Sequence, residues 1–263
     1  ADLPLAPASL TQLMTAYVLL DDIHKNKLSL GELLSVPDIA TQADGARVFL
    51  AAGEQVSVDT LLQAMLVHSA SDATLTLVVG VDGSEAAFVE RMNKQAKRLG
   101  MTKTRFMNAT GLTEPGHESS ARDLALLGRA LARDFPDRLA FFTQKELAFK
   151  GITYYNANRL LWRDSTLTGL KVGRTTQAGY CMAASAQRGE QRRVAVVLGA
   201  RSDAQRTQDA LKLLNYGFEN FDSVRLYRAQ QPVKVAALYR GARSTVSMGF
   251  AQDFHLLVPA GGA

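Results

Sequence analysis

The hydrophobic period of this chain changes near residue 143, and that change limits its architecture more than any other feature. Before it, apolar residues recur at helical spacing. After Pro7, where Ser9 can cap a helix, Leu10, Leu13, Met14, Tyr17 and Val18 form one such run. Gly53 and Ser57–Asp59 introduce a second over 61–67, and Gly83 and Ser84 open a third that presents Phe88, Met92 and Ala96 before Gly100 closes it. A fourth helix is expected from about Ser120 to Arg133, after a loop over 108–119 rich in Gly, Pro, Thr and Asn. Beyond the change, Thr143–Phe149, Thr166–Val172, Gly179–Ala186 and Arg193–Leu198 read as strands, the last two joined by a hairpin-length connection. A long helix over Asp203–Phe221 follows, and then short β segments over 233–239, 244–250 and 255–258. Helices first, neighbouring strands next and a closing helix predict an α+β fold, an antiparallel sheet flanked by helices, rather than a doubly wound parallel sheet.

Composition removes whole classes of function. With 47% hydrophobic and 21% charged residues in 263, the chain can bury a sizeable core and is neither disordered nor collagen-like. Its single cysteine, Cys181, excludes internal disulfides and a thiolate metal cluster. The four histidines, His24, His68, His117 and His255, lack ligand spacing, so no metal is expected. The net charge of +5 comes from scattered Lys and Arg without interleaved aromatics, which argues against a nucleic-acid partner. No run approaches the ~20 apolar residues of a membrane span.

Three short segments remain. Ser9–Leu10–Thr11–Gln12 lies at a helix start, Ser69–Ala70–Ser71 follows an apolar run, and Lys171–Val172–Gly173 ends a strand. Singly, each has a plain reading as a cap, a turn and a solvated charge. Together with Pro7–Ala8–Ser9–Leu10–Thr11, Asn108–Ala109–Thr110–Gly111–Leu112, Ala121–Arg122–Asp123–Leu124–Ala125, Leu160–Leu161–Trp162 and Leu213–Leu214–Asn215–Tyr216–Gly217–Phe218, they resemble one family over essentially the whole chain. It is that of the low-molecular-mass penicillin-binding proteins, the serine-type D-alanyl-D-alanine carboxypeptidases.

The resemblance implies a β-lactamase/transpeptidase-like fold and three motifs, Ser-x-x-Lys, Ser-x-Asn and Lys-Thr-Gly. A serine attacks the D-Ala-D-Ala carbonyl to form an acyl-enzyme, and a lysine one helical turn later takes its proton. On this pattern Ser9 is the nucleophile, Ser69 the proton relay and Lys171 the electrostatic anchor. Gly173 permits close approach, the N–H groups of Ser9 and Arg174 form the oxyanion hole, and Arg206 reaches the substrate carboxylate. The chain departs once in each motif: Gln12 stands for the lysine, Ser71 for the asparagine and Val172 for the threonine. Lost or strongly weakened catalysis is therefore expected, with residual binding of peptidoglycan stem peptides or β-lactams. A natural pseudoenzyme or a deliberately inactivated enzyme would both fit. A working enzyme would need a substitute base, for which Lys171 is the candidate, and a non-catalytic scaffold for another cell-wall protein is the alternative of a different class.

The resemblance further implies a penicillin-binding domain over 1–222, lacking the family's usual N-terminal strands, and the start of a C-terminal β domain over 223–263. No metal or organic cofactor is implied. The expected setting is the periplasm, for a fragment of an exported chain whose signal peptide and C-terminal membrane-surface anchor are absent from this sequence.

Overall fold

In the computed structural model, which describes residues 1–261, the chain begins with a single 3₁₀ turn, Ala8–Thr11, that runs directly into helix α1 (Gln12–His24). Eleven of the thirteen residues of α1 are buried, so this helix has no solvent face and is the spine of the molecule. A small hairpin of β1 (Leu33–Ser35) and β2 (Gln55–Ser57), with the short α2 (Asp38–Thr41) between them, precedes four helices. These are α3 (Val58–His68), α4 (Ser71–Asp82), α5 (Glu85–Arg98) and α6 (Ala121–Asp134).

The expected start signals operate as capping requires. Ser57, Ser84 and Ser120 each accept a hydrogen bond from the backbone N–H three residues on, at 3.2, 3.2 and 3.1 Å. On α5 only Phe88, Met92 and Ala96 are buried, the spacing-of-four stripe that the sequence displays. Burying a side chain such as Phe88 contributes about 1.5–3 kcal/mol. Two readings change. Ser9 does not cap a helix but sits inside the 3₁₀ turn, and α4 is a helix the periodicity did not announce. The first eight residues of α4 are all buried, so it has no polar stripe to betray it.

After the helical turn α7 (Ala140–Thr143) comes a hairpin of β3 (Glu146–Phe149) and β4 (Ile152–Tyr155), and then β5 (Leu167–Thr175), β6 (Gly179–Arg188) and β7 (Gln191–Ala200). The strand expected from Thr143 begins only at Glu146, because Thr143 is the last residue of α7. The three strands form one sheet in the order β5-β6-β7. β5 pairs antiparallel with β6, Lys171 opposite Ala183, and the two-residue link from β6 to β7 is one that only antiparallel neighbours can use. Gly169–Gly173 are consecutively buried, so β5 is covered on both faces. Gly128 of α6 packs there: a Cβ on it would lie 2.9 Å from Leu170 and 3.0 Å from Val194.

Helix α8 (Asp203–Glu219) follows and stops two residues before its expected end, because Phe221 already belongs to β8 (Phe221–Tyr227). The chain divides into two compact units, Ala1–Arg188 with Arg192–Leu214, and Gly189–Gln191 with the chain from Asn215 on. In the second, β8 pairs antiparallel with β11 (Phe254–Pro259), and β9 (Pro232–Ala237) with β10 (Thr245–Gly249). The rings of Tyr227, Phe250 and Phe254 stack there, with successive centroids 5.2 and 4.9 Å apart.

Candidate active site

Ser9 occupies a tightly constrained turn. The preceding residue, Ala8, is buried and left-handed at φ 49°, a conformation that costs a residue with a Cβ about 1–2 kcal/mol. Two glycines make room for it. A Cβ on Gly111 (φ +87°) would lie 2.0 Å from the Ala8 carbonyl oxygen, and one on Gly173 would lie 2.6 Å from the Ser9 nitrogen. The turn is thus gripped between the 108–112 loop and strand β5. Thr15 of α1 fixes the loop by donating to the Ala109 carbonyl at 2.8 Å, and the Asn108 side chain folds it by accepting from the Gly111 N–H at 2.8 Å.

A buried histidine braces the same turn. The Met107 N–H donates to Nδ1 of His117 at 3.0 Å, so the ring proton sits on Nε2 and is donated to the Thr11 hydroxyl at 2.7 Å. Burial holds the imidazole neutral, its pKa pushed down to about 4. Sequence reasoning placed His117 among lone histidines; its bridging role has no local signal, because its partners lie 10 and 106 residues away.

Ser9, Ser69, Ser71, Val172, Gly173, Arg174 and Arg206 line one cleft of about 220 Å³. The structure thereby brings together segments separated by up to 197 residues. It adds Gly45, Ala46, Thr110, Leu112 and Ala157, which were not singled out as site residues. Ser69 is left-handed (φ 59°) at the C-terminal end of α3, which turns its side chain away from the helix path. Lys171 reaches it from β5: the buried Nζ donates to Ser69 Oγ at 2.5 Å and to the Leu66 carbonyl at 3.2 Å. Burial first, and the Arg206 charge second, push the Lys171 amine down to about 7.

Gln12 lies beneath Ser69 with no exposed surface. Its Nε2 donates to the Ser69 carbonyl at 3.3 Å and to Thr74 Oγ1 at 3.2 Å, whose own proton goes to the Ala70 carbonyl at 2.7 Å. Its Oε1 is buried without a partner among the described residues. The surroundings of this side chain therefore offer acceptors and no donor. Next to Ser71, the buried Asp72 carboxylate accepts from the N–H groups of Val48, Leu50 and Ala73, tying the 46–50 segment to the start of α4.

Arg206 meets the cleft but is largely committed. Its Nε and Nη2 bond to Asp203 at 2.8 and 2.6 Å, and its Nη1 donates to the Gly173 and Cys181 carbonyls at 3.0 and 3.2 Å. It therefore staples α8 to β5 and β6. Arg174 is exposed and lies 5.0 Å from the centroid of the Tyr180 ring. It also borders an adjoining open groove of about 680 Å³ with Asp44, Leu112 and Thr113.

A serine in a strained turn, a buried amine on a second serine, and a glycine strand drawn against both point to acyl-transfer machinery. Residues 1–202 match the D-alanyl-D-alanine carboxypeptidase family, peptidase S11. The chain belongs to that family. It is 38% identical to the D-alanyl-D-alanine carboxypeptidase DacC of Escherichia coli, a match covering 99% of this chain and 67% of the relative. Its identity to DacF of Bacillus subtilis is 32%, over 98% of this chain and 67% of the other. Among solved structures, penicillin binding protein 5 from Haemophilus influenzae superposes with a TM-score of 0.90 at 33% identity, over 99% of this chain and 77% of that one. Penicillin-Binding Protein D2 from Listeria monocytogenes, in its ampicillin-bound form, does so with a TM-score of 0.74 at 37% identity, over 83% and 89%. The α+β fold with a penicillin-binding-protein arrangement of helices and antiparallel strands is thereby established, and in this chain residues of all three segments line one cleft.

Proposed function

We propose that this chain binds the D-Ala-D-Ala end of peptidoglycan stem peptides, and β-lactams that mimic it, in the Ser9 cleft, with acyl transfer at Ser9 strongly weakened. The observation that carries this reading is the setting of Gln12. Ser9 needs a base one turn along its helix, and the cradle there consists of acceptors suited to an amine. Gln12 fills it with an amide that cannot titrate. Loss of a general base costs typically ~10²–10⁴ in rate.

The remaining parts have defined roles in this reading. Ser9 is the nucleophile, and the N–H groups of Ser9 and Arg174 would receive the oxyanion. The outer edge of β5 is free of strand partners within its sheet, which suits pairing with an extended peptide. Val172 removes a hydroxyl from the carboxylate end of the cleft, and Ser71 lacks the reach of a carboxamide. Arg206 acts there mainly by holding β5, which leaves the exposed Arg174 to supply positive charge. The Ser69–Lys171 pair is the one residual proton path. Since the amine titrates near 7, residual acylation should rise as pH increases through that value. Residues 1–222 would form the penicillin-binding domain and 223–263 a C-terminal β piece, in a protein working in the periplasm.

The test is intact-protein mass spectrometry after incubation with ampicillin, beside titration with a D-Ala-D-Ala-ended peptide. Saturable peptide binding with a slow or absent Ser9 adduct is expected. A rapid, stoichiometric adduct would refute the loss of catalysis. Absence of both adduct and peptide binding would refute ligand recognition and favour the scaffold alternative.

A further inference from the structure

The cleft at Ser9 continues past Arg174. Leu112, Arg174 and Thr175 line both it and the open groove of about 680 Å³ beside it, whose other wall carries Asp44. Strand β5 leads from one into the other, with Val172–Thr175 in the cleft and the chain from Arg174 to Gln177 in the groove. Ser9 stands at Gly173, where a Cβ would lie 2.6 Å from its nitrogen. At about 3.3 Å per strand residue, Thr175 lies about 7 Å further along. The leaving side of a D-Ala-D-Ala substrate ends after one residue. A groove of this reach therefore suits the other side, the residue before the D-Ala pair, of a peptide extended along the free edge of β5.

Asp44 is exposed and makes no ion pair or side-chain hydrogen bond among the described residues. Arg174, the one cation of the groove lining, is drawn to the Tyr180 ring, 5.0 Å from its centroid, and leaves Asp44 uncompensated. The backbone beside Asp44 is nevertheless firmly placed. Gly45 is left-handed (φ +88°), and a Cβ on it would lie 3.1 Å from Ser71 Oγ and 3.5 Å from Leu112. The Ala46 carbonyl accepts from the Ser71 N–H at 2.7 Å, and Asp72 holds the N–H groups of Val48 and Leu50. A carboxylate serving only solubility needs no such anchorage at the rim of a cleft.

An apolar wall at Leu112 and an unpaired carboxylate beyond it fit an aliphatic side chain that ends in an amine. We propose that Asp44 is a specificity-determining residue, selecting peptides whose residue before the D-Ala pair carries such a side chain. This rests on the reading that the Ser9 cleft receives D-Ala-D-Ala ends. The net charge of +5 disfavours any added cation on a ligand, so a preference for the amine has to come from a local acid.

Isothermal titration of Nα-acetyl-Lys-D-Ala-D-Ala, against the same peptide acetylated on the lysine side chain as well, tests it. The free amine should bind about two- to fivefold more tightly, the range of one exposed ion pair, and high salt should shrink the advantage. D44N should bring the two peptides to equal affinity and D44K should reverse their order. D137N, a charge-matched change on the exposed turn after α6, should keep the preference. Thermal melts verify that the variants fold. Equal affinity of the two peptides for the parent chain, or a preference that persists in D44N, would overturn the assignment of Asp44. A preference lost equally in D44N and D137N would reduce it to overall charge and overturn it as well. Binding of neither peptide would instead refute D-Ala-D-Ala recognition in the Ser9 cleft, the reading on which the assignment rests.

Discussion

At the scale of single residues, Gln12 is the position on which the proposed function turns. Its neighbours, the Ser69 carbonyl and a Thr74 hydroxyl whose proton is already given away, are acceptors that would equally receive a lysine amine. On the proposed reading, restoring chemistry needs Gln12→Lys before any other change. The single variant should yield measurable D-alanine release or β-lactam acylation, with a gain of the order of 10²–10⁴. Val172→Thr alone should not, because one neutral hydrogen bond is worth only ~0.5–1.5 kcal/mol, under about fifteenfold. Released D-alanine, measured for both single variants on one peptide, distinguishes them; turnover in Val172→Thr without turnover in Gln12→Lys would show that the missing base has been misplaced. In the proposed mechanism Ser71 and Val172 act on position, whereas Gln12 acts on proton transfer.

At the scale of elements, the active turn owes its shape to contacts with distant parts of the chain. The 3₁₀ turn at Ser9 is held by the 108–112 loop, β5 and His117, none of them adjacent in sequence. His117 makes this support pH-dependent. The unfolded imidazole titrates near 6.5 and the folded one near 4, so between those values the unfolded chain binds the extra proton. Stability therefore falls as pH drops from about 6.5 to 4, with a contribution from this residue of up to about 3 kcal/mol. Urea midpoints at pH 7 and pH 4.5 should show the loss in the parent chain and a shallower one in His117→Ala. An equal pH dependence in the two proteins would contradict the bridging role.

At the scale of the whole molecule, the sheet that carries Lys171 and Gly173 is also the protected interior of its unit. The chain's one thiol, Cys181, lies in β6 opposite Gly173, with no exposed surface, and burial pushes its pKa above the usual thiol range. Reaction with Ellman's reagent should be undetectable in the native protein and rapid in denaturant, at a single equivalent per chain. The labelling rate would then report opening of the central sheet. Fast labelling under native conditions would mean that β5 and β6 separate readily, which the Arg206 staple across their carbonyls argues against.

What the sequence determined by itself is what local chemistry encodes. Amphipathic spacing marked α5, serine caps marked the starts of α3, α5 and α6, and period-two runs with a tight link marked β6 and β7. The three short motifs named Ser9, Ser69, Lys171 and Gly173 as members of one site because their order and residue types resemble a family. Tertiary structure decided what depends on partners far along the chain. It made α4 a helix without a polar face, turned Ser9 into part of a strained turn rather than a cap, and committed Arg206 to backbone carbonyls. It also gave His117 its bridge and buried Lys171 so that its amine titrates near 7. Burial removes the periodic signal from a wholly enclosed helix, and a pKa is set by desolvation and neighbouring charge, neither of which is written in residues adjacent to the group it shifts.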